Sequence, residues 1–373
     1  MTTTNDKRAR ARELGIDVGV MAPGPLNAIT DIDGVAVGHR TLITGDDIRT
    51  GVTAVLPHSD NLFQEKVPAA IAIGNGFGKL AGYSQVNELG TIESPILLTS
   101  TLAVGSVLHG GVCYMLSRPG NEKVESVNVV VGETSDAFLS DIRSLPITAE
   151  DVYAAIDDAS GGPVDEGCVG AGTGTVAFRF KGGIGTSSRI VPVSPRKQFT
   201  LGVLVQANYS GILDINGAPV GRELQQPKPD DINTPAGDGS CMIVVATDAP
   251  LQVRNLRRIA ERALHGLART GSYMRHGSGE YAIAFSTGYR IDHRRKVALT
   301  LPALVSDHVI NGFFRAVVEA TREAVYNAMF MATSMTGRQG RHVPAIPLDD
   351  VVRICEKYNV LNLHRKLPGD TDL

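Results

Sequence analysis

The chain has no tryptophan, and aromatic residues make up only 5% of its 373 positions. That scarcity removes the stacked aromatic platforms on which single-stranded nucleic acids are held. No excess of positive charge takes their place. Thirty-six Lys and Arg against 39 Asp and Glu leave a net charge of -3, so neither nucleic acid nor an anionic membrane surface is an expected partner. Only four cysteines occur, Cys113, Cys168, Cys241 and Cys355, and no two form a CxxC pair. Spaced so widely, they read as buried free thiols in a reducing compartment rather than as a disulfide framework. The nine histidines never fall into HxH or HExxH, so no metal is expected; His39, His58 and His109 read as structural. The opening residues, 1–8, have no apolar core of a secretory signal, which points to a cytoplasmic protein. No fixed-period repeat is visible.

One long run lacks charge altogether. Residues 94–117 contain no Asp, Glu, Lys or Arg and so imitate a membrane span. Thr99, Ser100, Thr101, Ser106, His109 and several small residues inside it fit a buried helix better than a lipid-facing one. What the chain does have is glycine, 41 residues of it, within a composition that is 43% hydrophobic and 20% charged. Such a chain builds a large core, and its glycines serve tight turns and close backbone approaches around packed sheets.

Apolar runs at 32–39, 67–73, 127–131, 176–180, 199–206, 241–246, 281–285 and 297–301 predict strands. Helices are predicted over 5–14, 97–116, 148–159, 313–331 and 347–358, and between Asp248 and Gly271. Residues 221–239 have loop composition throughout and exceed the usual connection length. The segment 290–295 reads as a solvated hairpin tip. Strands and helices fall in blocks, which predicts layered sheets covered by helices rather than a doubly wound parallel sheet. Gly76-Phe77-Gly78-Lys79-Leu80-Ala81 loosely fits GxGxxA, but no Walker motif and no clear ribose-binding acid accompany it. Close packing and the walls of an active site are the better readings of the glycine loops, and no cofactor is expected.

Chemistry concentrates at Gly237-Asp238-Gly239-Ser240-Cys241-Met242, where a long loop ends in glycine, then serine, then a buried strand. By itself a Gly-Ser step before a strand is a common turn. The same arrangement also suits an N-terminal nucleophile. The Ser240 hydroxyl would attack the Gly239 carbonyl, and hydrolysis of the resulting ester would free the Ser240 α-amine. That amine titrates near ~8 when unperturbed and can act as base for its own hydroxyl.

Several motifs sharpen the choice. Residues 23–31 (Pro-Gly-Pro-Leu-Asn-Ala-Ile-Thr-Asp), Val37-Gly38-His39, 74–78 (Gly-Asn-Gly-Phe-Gly), 170–174 (Gly-Ala-Gly-Thr-Gly), 181–189 (Lys-Gly-Gly-Ile-Gly-Thr-Ser-Ser-Arg) and Asp238-Gly239-Ser240 together resemble the DmpA and β-peptidyl aminopeptidase family, also called the L-aminopeptidase/D-esterase family. The resemblance covers nearly the whole chain. It implies an α+β fold, a four-layer αββα sandwich similar to N-terminal nucleophile hydrolases but differently connected. It implies a single domain cut into an α chain, 1–239, and a β chain, 240–373, and assembled as a homotetramer. Ser240 matches the family nucleophile and Asn208 its side-chain oxyanion donor. Ser278 and Glu280 match a hydroxyl and a carboxylate near the nucleophile, and Glu133 the carboxylate that holds the substrate's free amine. Residue by residue these positions have plainer readings too: a turn cap for Asn208, loop solvation for Ser278 and Glu280, an exposed strand-end charge for Glu133. The implied substrates are short peptides, amino-acid amides or esters, β-peptides included. Two rivals stand beside this reading. One is an acyltransferase of the ornithine acetyltransferase type, which has threonine where this chain has Ser240; the other is a non-catalytic small-ligand-binding protein.

Overall fold

Strand β11 (Ser240–Thr247) is buried along its whole length, and it shows how the layers are stacked. Successive side chains of a strand point to opposite faces. Cys241, Ile243 and Val245 join one apolar cluster, while Met242, Val244 and Ala246 join another. A strand apolar on both faces must lie between two layers. The structure is a computed structural model that describes residues 7–224, 239–295, 297 and 301–364.

In chain order the elements are β1 (Ala36–Thr44), β2 (Ile48–Leu56), β3 (Glu65–Gly76), α1 (Tyr83–Leu89), β4 (Thr91–Ile92), β5 (Ile96–Ser100), α2 (Val104–Ser117), β6 (Val130–Thr134) and α3 (Ala149–Asp157). There follow β7 (Val176–Ala177), β8 (Phe180–Lys181), β9 (Gly183–Ser194), β10 (Lys197–Asn208), α4 (Val220–Glu223), β11, α5 (Val253–Ala268), β12 (Gly279–Ser286) and β13 (Ile291–Asp292). The last are α6 (Ile310–Phe330), β14 (Met335–Thr336), β15 (His342–Val343) and α7 (Leu348–Lys357).

One sheet runs β1-β2-β5-β6, the other β13-β3-β12-β11-β10-β9, with β4 beside β3. Three apolar clusters fill the three gaps between four layers. Val104, Val107, Val152 and Ile156 of α2 and α3 pack on Val52, Ala54, Leu97 and Val131 of the small sheet. Val55, Ile96, Leu98 and Val130 of that sheet meet Ile71, Leu204, Val244 and Ile283 of the large one. Leu256, Ile259, Phe313 and Val317 of α5 and α6 cover its far face. This is the expected αββα sandwich.

Local expectations fared unevenly. The runs at 199–206, 241–246 and 281–285 form the hearts of β10, β11 and β12, and 313–331 and 347–358 are α6 and α7 to within a few residues. Residues 97–100 are strand, and the helix predicted from 97 begins at Val104. Strand β6 starts later than predicted and runs to Thr134. The strand predicted over 176–180 is a hairpin, β7 and β8, turning at Phe178 and Arg179. The strand predicted over 32–39 begins at Ala36, after a turn at Gly34. Of the helix predicted over 5–14, a single 3-10 turn, Ala11–Leu14, forms among the described residues. The helix predicted between Asp248 and Gly271 begins at Val253, and the Asp248 carboxylate instead accepts the Thr200 N–H at 2.8 Å. Segment 290–295 is no free tip, because β13 pairs with β3 and Arg290 bridges Asp60 and Glu65. Most of the loop 221–239 and of the strand predicted over 297–301 lies outside the described residues.

Candidate functional site

Register brings the candidate residues together. Asn208, the last residue of β10, pairs with Ser240, the first of β11. Ser240 pairs in turn with Gly279 of β12, and Gly279 with Gly76 of β3. The row lies along one edge of the large sheet. Alternation sends the Ser240 side chain to the face of Met242 and Val244, toward the small sheet. There β6 comes near: a Cβ on Gly132 would lie 2.2 Å from Met242 Cε. The next residue is Glu133. A cavity of about 600 Å³ opens at this edge, lined by Phe77, Lys79, Glu133, Asn208, Gly239 and Ser240 among others.

Within it Asn208 Nδ2 donates to Ser240 Oγ at 3.4 Å. Asn208 Oδ1 accepts the Val176 N–H at 2.9 Å, and that bond decides which end of the carboxamide faces Ser240. Asn208 is therefore part of the strand, not a turn cap. Glu133 is also within its strand, paired with Thr99 and 5% exposed, rather than a charge beyond the strand end. Its Oε1 accepts the Lys79 backbone N–H at 3.0 Å and lies 3.3 Å from Lys79 Nζ. Gly78 leaves room for this wrap, since a Cβ there would stand 3.0 Å from the same Oε1. The glycine loop after β3 is thus a wall of the cavity.

Ser278 and Glu280 form a second, separate pair. The Ser278 hydroxyl donates to Glu280 Oε1, and both residues are buried. On β12, Tyr281, Ile283 and Phe285 face the small sheet, so Glu280 faces the helical side, next to Cys241, its partner in register. Among the described residues no side-chain hydrogen bond joins this pair to Ser240. Glu280 Oε2 is buried without a partner. Burial pushes the carboxyl up to about 7, against the pull of the Ser278 hydroxyl. Gly239 lies against Tyr209 and Ser210, just past the end of β10, and its carbonyl accepts the Gly279 N–H at 3.2 Å.

Sequence reasoning did not single out Lys79 as the partner of Glu133, nor the Val176 N–H that orients Asn208. The first was visible as the cation ending a glycine loop; the second is a backbone group with no signal in side-chain pattern. Elsewhere, all four cysteines are free thiols, but Cys241 and Cys355 alone are buried as expected, whereas Cys113 and Cys168 are half-buried. His39 Nδ1 and the Thr53 hydroxyl are 3.0 Å apart, and His58 Nε2 is 2.7 Å from the Glu65 carbonyl. Among the described residues no group of three or more His, Cys, Asp or Glu is placed to hold a metal ion, and no helix is long and apolar enough to cross a membrane.

Comparison with known proteins bears on the whole arrangement. The family model for peptidase family S58 matches residues 27–343. The β-peptidyl aminopeptidase BapA of Sphingosinicella xenopeptidilytica is 41% identical over 92% of this chain and 90% of its own. Among solved structures, the L-aminopeptidase D-Ala-esterase/amidase of Ochrobactrum anthropi superposes with a TM-score of 0.87 at 36% identity, covering 94% of this chain and 99% of that one. It is described as a prototype of the serine aminopeptidases and a variant of the Ntn hydrolase fold. A Burkholderia sp. β-aminopeptidase gives 0.86 at 36% identity with the same coverage. The resemblance read from the glycine motifs and the Asp-Gly-Ser step is borne out, and neither the acyltransferase nor the non-catalytic reading is favoured. The chain belongs to peptidase family S58.

Proposed function

We propose that this peptidase cuts itself between Gly239 and Ser240 and then works as an aminopeptidase on short peptides, amides or esters. The observation that carries the reading is the Asn208 Nδ2 contact with Ser240 Oγ, made in the cavity that also holds Glu133. In the first reaction Ser240 Oγ attacks the Gly239 carbonyl carbon. The C–N bond breaks, the nitrogen takes the proton, and an ester remains. The Gly279 N–H already polarises that carbonyl. Water hydrolyses the ester, leaving a carboxylate on Gly239 and an amine on Ser240.

In the second reaction that amine accepts the Ser240 hydroxyl proton while Oγ attacks the substrate carbonyl. Asn208 Nδ2 faces the developing oxyanion; one such donor is typically worth ~3 kcal/mol of barrier. The leaving amine takes the proton, and water releases the acyl group. Glu280 Oε2, buried and unpartnered before the cut, suits the ammonium that forms when the freed amine takes the hydroxyl proton, with Ser278 holding the carboxylate. Glu133 receives the substrate's free amine in place of Lys79 Nζ, which keeps Thr101 Oγ1 at 2.8 Å as its other acceptor. The tetramer implied by the resemblance and a reducing, cytoplasmic setting suited to four free thiols complete the reading.

A substrate panel tests the assignment of Glu133. Acylating the amine of a dipeptide or amino-acid amide should abolish turnover. Glu133→Ala should raise KM for free-amine substrates about 10- to 100-fold, the loss of a charged hydrogen bond, with a smaller effect on kcat. Equal turnover of blocked and free substrates would remove Glu133 from this role.

A further inference from the structure

Lys181 is a fully buried cation that neither reaction above employs. Its Nζ donates to the carbonyls of Gly172 at 3.0 Å, Thr175 at 2.8 Å and Gly182 at 3.0 Å. An ammonium has three N–H donors and a neutral amine two, so three acceptors match the charged form. Burial opposes that charge, drawing the pKa down, while Cys168 and Asp136 pull it back up.

The Thr175 carbonyl and the Val176 N–H belong to one peptide unit. Lys181 Nζ binds the first, and the second donates to Asn208 Oδ1 at 2.9 Å. The other end of that carboxamide is the Nδ2 facing Ser240. An unbroken chain therefore runs from ammonium to peptide to carboxamide to hydroxyl. An amide whose oxygen accepts a charged donor becomes a better donor at its nitrogen, so polarisation along the chain is cumulative.

The backbone around Lys181 is committed to the same purpose. Val176 and Lys181 are partners in the β7–β8 hairpin. Its turn residues, Phe178 and Arg179, both have positive φ, 50° and 66°, which hairpins normally assign to Gly, Asn or Asp. Such backbone persists only where its surroundings over-determine it. Here the Phe178 N–H donates to the Tyr209 carbonyl at 2.8 Å, and the buried Phe178 ring meets Tyr209 edge-on at 5.0 Å. The hairpin is pinned at Asn208 and Tyr209, the two consecutive residues that end β10 and begin the next turn.

We propose that Lys181 is a positioning residue for the oxyanion donor, acting through the Thr175–Val176 peptide to orient and polarise the Asn208 carboxamide toward Ser240. This rests on the reading of Ser240 and Asn208 given above.

The test is a double-mutant cycle of Lys181→Met with Asn208→Ala, with rates taken per cleaved chain. Lys181→Met should lower kcat about 10- to 100-fold and leave KM within about twofold. An amino aldehyde, whose carbon bonds Ser240 Oγ and whose oxygen then needs the donor, should lose affinity by the same factor. The corresponding amino alcohol, which forms no adduct, should bind unchanged. In the Asn208→Ala background the further loss should be under about threefold, since both changes disable one device. Lys181→Gln, which keeps an N–H for the Thr175 carbonyl, should recover part of the rate; it carries the cycle if the methionine chain fails to fold. Equal losses in both backgrounds, or a loss in KM alone, would overturn the proposal. A wild-type chain that neither cuts itself nor turns over substrate would instead remove the reading of Ser240 beneath it.

Discussion

Ser240 and Glu280 lie one step apart across neighbouring strands, yet their side chains occupy opposite faces of the sheet. The backbone nitrogen of Ser240 lies in the plane between those faces. Freed by a chain cut, it is the group able to serve both the hydroxyl above and the carboxylate below. Before a cut, the Glu280 carboxyl is buried with one oxygen unpartnered and its pKa lifted from 4.5 to about 7. A folded-state pKa above the unfolded one gives stability that is complete below the unfolded value and lost as pH rises through the folded value. In the uncut Ser240→Ala chain, then, stability attributable to Glu280 should be full below about pH 4.5 and gone above about pH 7. Thermal unfolding of Ser240→Ala against Ser240→Ala/Glu280→Gln isolates it from Asp136 and Glu166, which shift in the same direction. The difference in midpoint should decline across that window; a pH-independent difference would show that Glu280 is not the buried acid described. At this scale a glycine-serine step before a buried apolar run offered Ser240 as no more than a common turn, and it was the resemblance carried by the glycine motifs and the Asp238-Gly239-Ser240 step that singled it out. Asn208 and Glu280 were not separable from ordinary turn and loop residues by pattern, since their significance lies in register across strands far apart in the chain.

Among the elements, α6 packs closely on the large sheet. A Cβ on Gly185 of β9 would lie 2.1 Å from the Ala324 carbonyl oxygen and 2.4 Å from the Ala328 nitrogen. Two residues on, Ser187 Oγ donates to the Ala320 carbonyl at 2.6 Å. Helix and strand are thus fixed in depth as well as position. Gly185→Ala should cost about 1–3 kcal/mol, the usual toll of overpacking, read as a lower urea midpoint with an unchanged slope. A stability equal to wild type would mean that α6 does not press on β9 as described. The elements also show where sequence patterns run out. Continuous apolar runs foretold β10, β11 and β12 because strands buried on both faces have no polar alternation. The same lack of contrast hid β5: residues 94–117 carry no charge, so nothing marks the change from strand to helix at Thr101. Strand β6 was cut short because Gly132 interrupts its apolar run, and the packing of Met242 and Leu98 against it accounts for that glycine. The hairpin at 176–181 was invisible, since its turn uses Phe and Arg where a sequence reader looks for Gly or Asn.

For the molecule as a whole, the position of the proposed cut matters less for stability than the chain order suggests. Strands β11, β12 and β13 lie after residue 239, yet β11 pairs with β10 and both β12 and β13 pair with β3. The two pieces interleave within one sheet, β3 of the first lying between β13 and β12 of the second. A buried ionic network also spans them, with Glu323 of α6 held by Arg189 at 2.6 Å and by Arg12 at 2.9 Å. Removing one partner of such a buried pair is far more costly than losing a surface one. The cut protein should therefore elute in gel filtration as one species, its pieces separating only in denaturant. Elution as two independent chains without denaturant would contradict the interleaved sheet. The blocks of strands and helices implied layering, but the order of the four layers came from the glycine motifs and the family they resemble, not from periodicity.

The most direct measurement is N-terminal sequencing and intact mass of the purified, active protein. Two chains should be found, the second beginning Ser-Cys-Met-Ile-Val, and the Ser240→Ala chain should remain whole and inactive. An active protein consisting only of the uncut 373-residue chain would contradict the account, because no Ser240 amine would exist to accept the proton.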